Sequence, residues 1–129
     1  MKQQLVVFLL FLLPGMIADQ QGDQILGRWA FPSKGSSMDI YRTGNHYFAR
    51  VAEVDKAGEK NYGLVKDNVL IRNLAYDGQA WSNGELVHPK TGMRLSVEVQ
   101  MDDPHTITVT IYKGIKLLHR KFIMTRKPS

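Results

Sequence analysis

The chain contains no cysteine. That excludes a disulfide scaffold, a thiol nucleophile, a thiolate metal site and a lipid-modified mature terminus. Past Asp19 no apolar run approaches the roughly 20 residues that a membrane-spanning helix needs. No window of a dozen residues there carries a helical stripe. A phosphate-cradling glycine loop, a His-Glu-x-x-His pair and a Gly-x-Ser-x-Gly elbow are all missing. Charged residues make up 22% and apolar residues 43%, which is ordinary globular composition and excludes a disordered tail, a collagen or a coiled coil. The 129 residues make one domain.

What is present begins with an address. Lys2 precedes Leu5-Val6-Val7-Phe8-Leu9-Leu10-Phe11-Leu12-Leu13. Pro14-Gly15 then breaks the run, and Met16-Ile17-Ala18 offers a small residue for cleavage. A positive start, a short apolar stretch and a small-residue exit form the pattern of a secretory signal peptide, here residues 1–18. The mature domain is then residues 19–129, secreted or periplasmic, with no stable membrane anchor. Export without cysteines suits a bacterial envelope better than a eukaryotic secretory route, where small domains lean on disulfides.

From Ile25 onward, turn signals recur at short, even spacing: Ser33–Ser36, Thr43-Gly44-Asn45, Asp55–Gly58, Lys66-Asp67-Asn68, Asp77-Gly78, Asn83-Gly84, Pro89–Gly92, Asp102-Asp103-Pro104 and Lys113-Gly114. Glycine and asparagine supply positive φ and proline fixes it, so each reads as a turn. Between turns the period is two. Leu95, Val97, Val99 and Met101 alternate with polar residues, as do Ile107, Val109 and Ile111. Met38 and Ile40 do the same, followed by Tyr47, Ala49 and Val51. Only Asn61 to Asp67 would tolerate a short helical turn. Eight or nine short strands joined hairpin after hairpin predict an all-β fold, a small up-and-down antiparallel barrel of about eight strands.

Three features carry a resemblance. Gly27-x-Trp29 stands on the first strand, a continuous meander follows, and Arg126 lies near the end of the last strand. This resembles the lipocalin pattern, which implies that Trp29 plugs the closed end of the barrel and that Arg126 lies across its face, with Gly27 alongside. Met38-x-Ile40-Tyr41 and Trp81-x-x-Gly84-x-x-x-x-Pro89-x-x-Gly92 add a closer match. With them, Ile25 to Arg126 is similar to a small secreted bacterial family known as domain of unknown function 2147, whose members look like lipocalins. His88 stands where an acidic residue usually precedes the proline, and Met124-Thr125 where an aromatic usually precedes the last arginine. The resemblance implies a barrel, export and a ligand cavity, and no established chemistry.

The residues themselves offer little catalysis. His46, His88, His105 and His119 are far apart in sequence, and Asp102-Asp103 beside Pro104 reads as a turn. An enzyme would need His88, His119 and a carboxylate to meet at the barrel mouth. No metal site and no cofactor are expected. The formal charge of +5 is scattered apart from Lys113, Lys116, Arg120, Lys121, Arg126 and Lys127. No aromatic-interleaved basic motif appears, so nucleic acid is not an expected partner. The cluster is either a solvated face or an attraction to anionic surfaces or ligands.

Parity along the last strand puts Leu118, Arg120, Phe122, Met124 and Arg126 on one face. Arg120 then points into the cavity or sits at its mouth in water. The first expectation is a carrier or sensor of a small apolar molecule, neutral or acidic. Its expected pocket is Met38, Ile40, Tyr47, Trp81, Val97, Val109, Arg120 and Phe122, with Trp81 near one rim. The alternative is an envelope interaction module with a filled barrel, working through a rim that contains Trp81 and the basic cluster; its protein partner is unknown.

Overall fold

The computed structural model describes residues 21–115 and 119–128. Segment 1–18, the expected signal peptide, lies outside the described residues. A short 3-10 helix, Asp23–Ile25, leads into eight strands. These are β1 (Gly27–Ala30), β2 (Ser37–Thr43), β3 (His46–Glu53), β4 (Val69–Tyr76), β5 (Trp81–Val87), β6 (Arg94–Asp103), β7 (Thr106–Tyr112) and β8 (His119–Lys127). One helix, α1 (Lys56–Tyr62), stands between β3 and β4. Every strand pairs antiparallel with its sequence neighbour, and β1 pairs with β8, which closes the barrel. Closure leaves no unpaired sheet edge.

The topology sorts the connections by end. The β2–β3, β4–β5 and β6–β7 hairpins and the 3-10 helix share one end, which the core closes. The β1–β2, β3–β4, β5–β6 and β7–β8 connections share the other, which stays open beneath α1.

Two turn signals have other roles. Asn83-Gly84 lies inside β5, where Asn83 adopts φ 62° and the register against β6 slips. It makes a bulge, not a hairpin, because a buried Gly84 lets Leu74 pass: a Cβ there would stand 2.5 Å from Leu74 Cδ2. Asp55–Gly58 is a helix start, not a turn. Asp55 caps α1 by accepting from the Gly58 amide at 2.8 Å, and Gly63 ends the helix in the left-handed region. The helix therefore begins five residues earlier than the sequence pattern suggests. At seven residues it is too short to show a periodic stripe.

Gly27-x-Trp29 has a local cause. Gly27 takes φ +130°, which side-chain-bearing residues avoid, and a Cβ there would stand 2.9 Å from Arg126 Nη1. The missing side chain lets the Arg126 guanidinium settle 4.3 Å above the fully buried Trp29 ring. Arg126 also donates to the carbonyls of Leu26, Gln24 and Pro104 at 2.7–2.9 Å. Trp29 Nε1 donates to the Ile25 carbonyl at 2.9 Å. One arginine thus ties the 3-10 helix and the β6–β7 turn to the end of β8.

Candidate functional site

The open half of the barrel encloses a cavity of about 200 Å3. Its walls are Met38 from β2, Leu70 and Ile71 from β4, Leu86 from β5, Leu95 from β6, Val109 and Ile111 from β7, and Phe122 and Met124 from β8. An extra residue in β4, opposite the Ala49–Arg50 step, lets both Leu70 and Ile71 reach it. Phe31, Asn61, Tyr62 and Leu64 form the roof; His88, Pro89 and Arg120 line the mouth.

Helix α1 is the roof beam. Tyr62 stacks on Phe31 at 6.4 Å and meets Phe122 edge-on at 5.9 Å. The fully buried Ser36 donates to Asp55 Oδ1 at 2.7 Å and accepts from the Asp55 amide at 3.0 Å. These bonds fasten the start of α1 to the β1–β2 connection. The Ser36 hydroxyl, and after it the Gly58 amide, hold the Asp55 carboxyl below its usual range. At the other end of α1, Lys90 Nζ donates to the Lys60 carbonyl, which ties the helix to the β5–β6 connection.

Of the eight residues expected to form the pocket, Met38, Val109, Arg120 and Phe122 line the cavity. Ile40 and Val97 do not. Each stands two residues nearer the closed end than Met38 and Leu95, the lining residues of their strands, so they pack beneath the cavity floor. Tyr47 and Trp81 are also elsewhere, at the closed end, because β3 and β5 both start there. Trp81 is only 2% exposed, so no rim contact runs through it. It packs on Tyr76 at 4.6 Å and Tyr47 at 6.5 Å, and its Nε1 donates to the Gly22 carbonyl at 3.2 Å. Tyr47 donates to Asp23 at 2.8 Å; burial, and then that bond, push its hydroxyl up to about 12.

Arg120 faces inward with no bulge in β8, opposite Ile111, yet its position at the strand's open end leaves it exposed to water. Among the described residues it supplies the one formal charge on the lining, and none of them brings a carboxylate to the cavity. His88 Nδ1 accepts from the Lys90 amide at 3.1 Å; His119 is not among the lining residues. No cluster of three metal-ligating side chains occurs among the described residues. No helix among them is long and apolar enough to cross a membrane. The basic cluster disperses: Arg126 belongs to the plug, and Lys127 pairs with Glu53 at 2.7 Å.

Sequence pattern alone missed the roof. Tyr62 and Leu64 sit in a connection with no strand alternation, and the one available signal was the capping pattern that starts at Asp55.

A closed eight-stranded meander, plugged by a Trp–Arg pair and hollow at the other end, defines a lipocalin-like barrel. The family model for "Uncharacterized protein conserved in bacteria (DUF2147)" matches residues 27–126, and the chain belongs to that family. Among solved structures, protein HP1028 from the human pathogen Helicobacter pylori, described as belonging to the lipocalin family, is similar in fold. The TM-score is 0.64 at 15% identity, over 81% of this chain and 84% of that one. No curated protein matches the chain.

Proposed function

We propose that the chain is an exported binding protein that sequesters a small amphiphile without transforming it. The cargo's apolar body lies in the cavity and its anionic head meets Arg120. One observation carries this reading: an apolar cavity whose single charged lining group among the described residues is a guanidinium in water at the mouth. The Arg120 guanidinium makes no hydrogen bond or ion pair with the described residues, so its fork is open to a carboxylate. The volume bounds the cargo. An apolar cavity of ~150 Å3 takes benzene, so a single ring or a short acyl chain fits this one. Segment 1–18 directs the chain to the periplasm or beyond.

The test is native mass spectrometry on the mature protein recovered from its own secretion route, followed by titration with octanoate and octanol. A retained small-acid adduct, and octanoate favoured over octanol, are the expected results. Arg120→Ala should weaken octanoate about 3–10-fold, the range for a charge-assisted contact in partial water. A bare mass together with no octanoate binding sinks the proposal. Equal binding of acid and alcohol removes the head-group role.

A further inference from the structure

The open end carries a feature that cargo binding does not need. Val65 is 61% exposed, Met93 44% and Ile115 61%. Each stands on a different connection at that end, after α1, between β5 and β6, and between β7 and β8. Each has a basic neighbour: Lys66 follows Val65, Arg94 follows Met93, and Lys113 and Lys116 flank Ile115. The four connections at that end, β1–β2 included, also hold Lys34, Lys56, Lys60 and Lys90, all exposed, with Lys90 donating to the Lys60 carbonyl. Against them stand Asp55, which is engaged by Ser36 and the helix start, and two further acids, Glu59 and Asp67. The closed end lacks this excess. Its turns carry Asp77, Asp102 and Asp103 and no lysine, and its arginines are engaged, Arg42 by Asp23 and Arg126 by main-chain carbonyls. Charge is therefore polarised along the barrel axis, positive around the mouth.

We infer that the open rim is a peripheral docking face for anionic phospholipid bilayers. Val65, Met93 and Ile115 enter the interface, and the lysine ring meets the head groups. Apolar tips embedded in basic charge suit the electrostatic and hydrophobic terms of interfacial binding. A protein partner fits less well. The tips sit on three separate connections, and lysine is depleted at protein interfaces while tryptophan, tyrosine and arginine anchor them. Docking in this orientation would set the cavity mouth against the lipid surface. It stands on the rim alone and does not require the cargo reading to hold.

The mature full chain is sedimented with vesicles of equal phosphatidylglycerol and phosphatidylcholine, and with vesicles of phosphatidylcholine alone. Binding to the acidic vesicles, at least about 10-fold weaker on neutral ones and weakened in 0.5 M salt, is expected, since surface attraction is screened over the ~3–10 Å Debye range. The triple variant Val65→Asp, Met93→Asp, Ile115→Asp should lose about 10-fold or more on acidic vesicles while keeping a cooperative unfolding transition in vesicle-free solution. Ile123→Asp, at an exposed position on the outer face of β8 away from the rim, should bind vesicles unchanged. Equal binding to both vesicle types, or none to the acidic ones, overturns the inference and leaves the rim to a protein partner. So does a triple variant that still binds. If the triple variant does not fold, Ile115→Asp and the salt response of the unmodified chain decide by the same criteria.

Discussion

The two ends of this barrel solve opposite problems with the same strands. At the closed end, two tryptophans fill the lumen, and each indole N–H reaches a main-chain carbonyl, Ile25 for Trp29 and Gly22 for Trp81. Arg126 then binds three carbonyls over the top. At the open end, aliphatic side chains of moderate size leave a hollow, and a seven-residue helix covers it through one serine, one lysine and one aromatic sandwich. An eight-stranded barrel is just wide enough to be filled or to hold one small ligand. This one is filled at one end and hollow at the other, because bulk is distributed unevenly along the strands. Large buried side chains and main-chain ties concentrate at the closed end, and the hollow lies at the open one.

The largest effect that would test this division comes from the plug. Trp29→Ala should cost about 3–5 kcal/mol in urea-induced unfolding, the range for a large core aromatic. A cost under about 1 kcal/mol would show that the closed end is not the stabilising half. Gly58→Ala probes the other end. A Cβ at Gly58 would stand 2.1 Å from Ser36 Oγ, so the helix must move or the clasp must break. Overpacking of this kind costs about 1–3 kcal/mol. Hydrogen exchange should quicken across residues 55–64 and stay slow in β1 and β8. Equal quickening in β1 and β8 would mean that the two ends unfold as one unit.

Much of this was legible in the sequence, for reasons that also mark the limit. The period-two runs in β6 and β7 state which residues face inward, since side chains alternate strictly along a strand. They do not state height. Met38 and Ile40 share a face, yet one lines the cavity and the other lies below it. Trp81 was misplaced because Asn83-Gly84 looks like a hairpin turn, whereas Gly84 is needed to make room for Leu74. That reading put Trp81 at a strand's end near one rim, whereas it is buried at the closed base. The roof was illegible because a seven-residue helix held by a buried serine depends on a partner 19 residues away, Ser36 for Asp55.

The two ends should also differ in their response to pH. Tyr47, at the closed end, keeps its proton up to about 12, first through burial and then through its bond to Asp23. Its folded pKa is raised, so its contribution is whole below the ordinary tyrosine value near 10 and is lost as pH climbs from there toward 12. Absorbance at 295 nm should show one tyrosine titrating later than the others. Its removal in Tyr47→Phe should flatten that part of the alkaline stability curve.

Asp55 runs the other way and gives the smallest and most local signal. Its folded pKa is depressed, so its contribution is whole above the unfolded value near 3.9 and fades as pH falls through the folded one. Protonation would weaken the bond to Ser36 and the cap on Gly58 together. The amide of Gly58 should therefore lose protection in acid before the barrel strands do. Asp77 is depressed as well, by the amides of Ala80 and Gln79, so acid also loosens the β4–β5 turn. The two are separated by position, since Ala80 reports that turn and Gly58 the roof. Asp55→Asn sharpens the test. Asparagine caps a helix about as well as aspartate and does not titrate. In that variant the roof amides should show no acid step while Ala80 keeps its own. An acid step that persists at Gly58 would assign the roof's pH response to some other carboxylate.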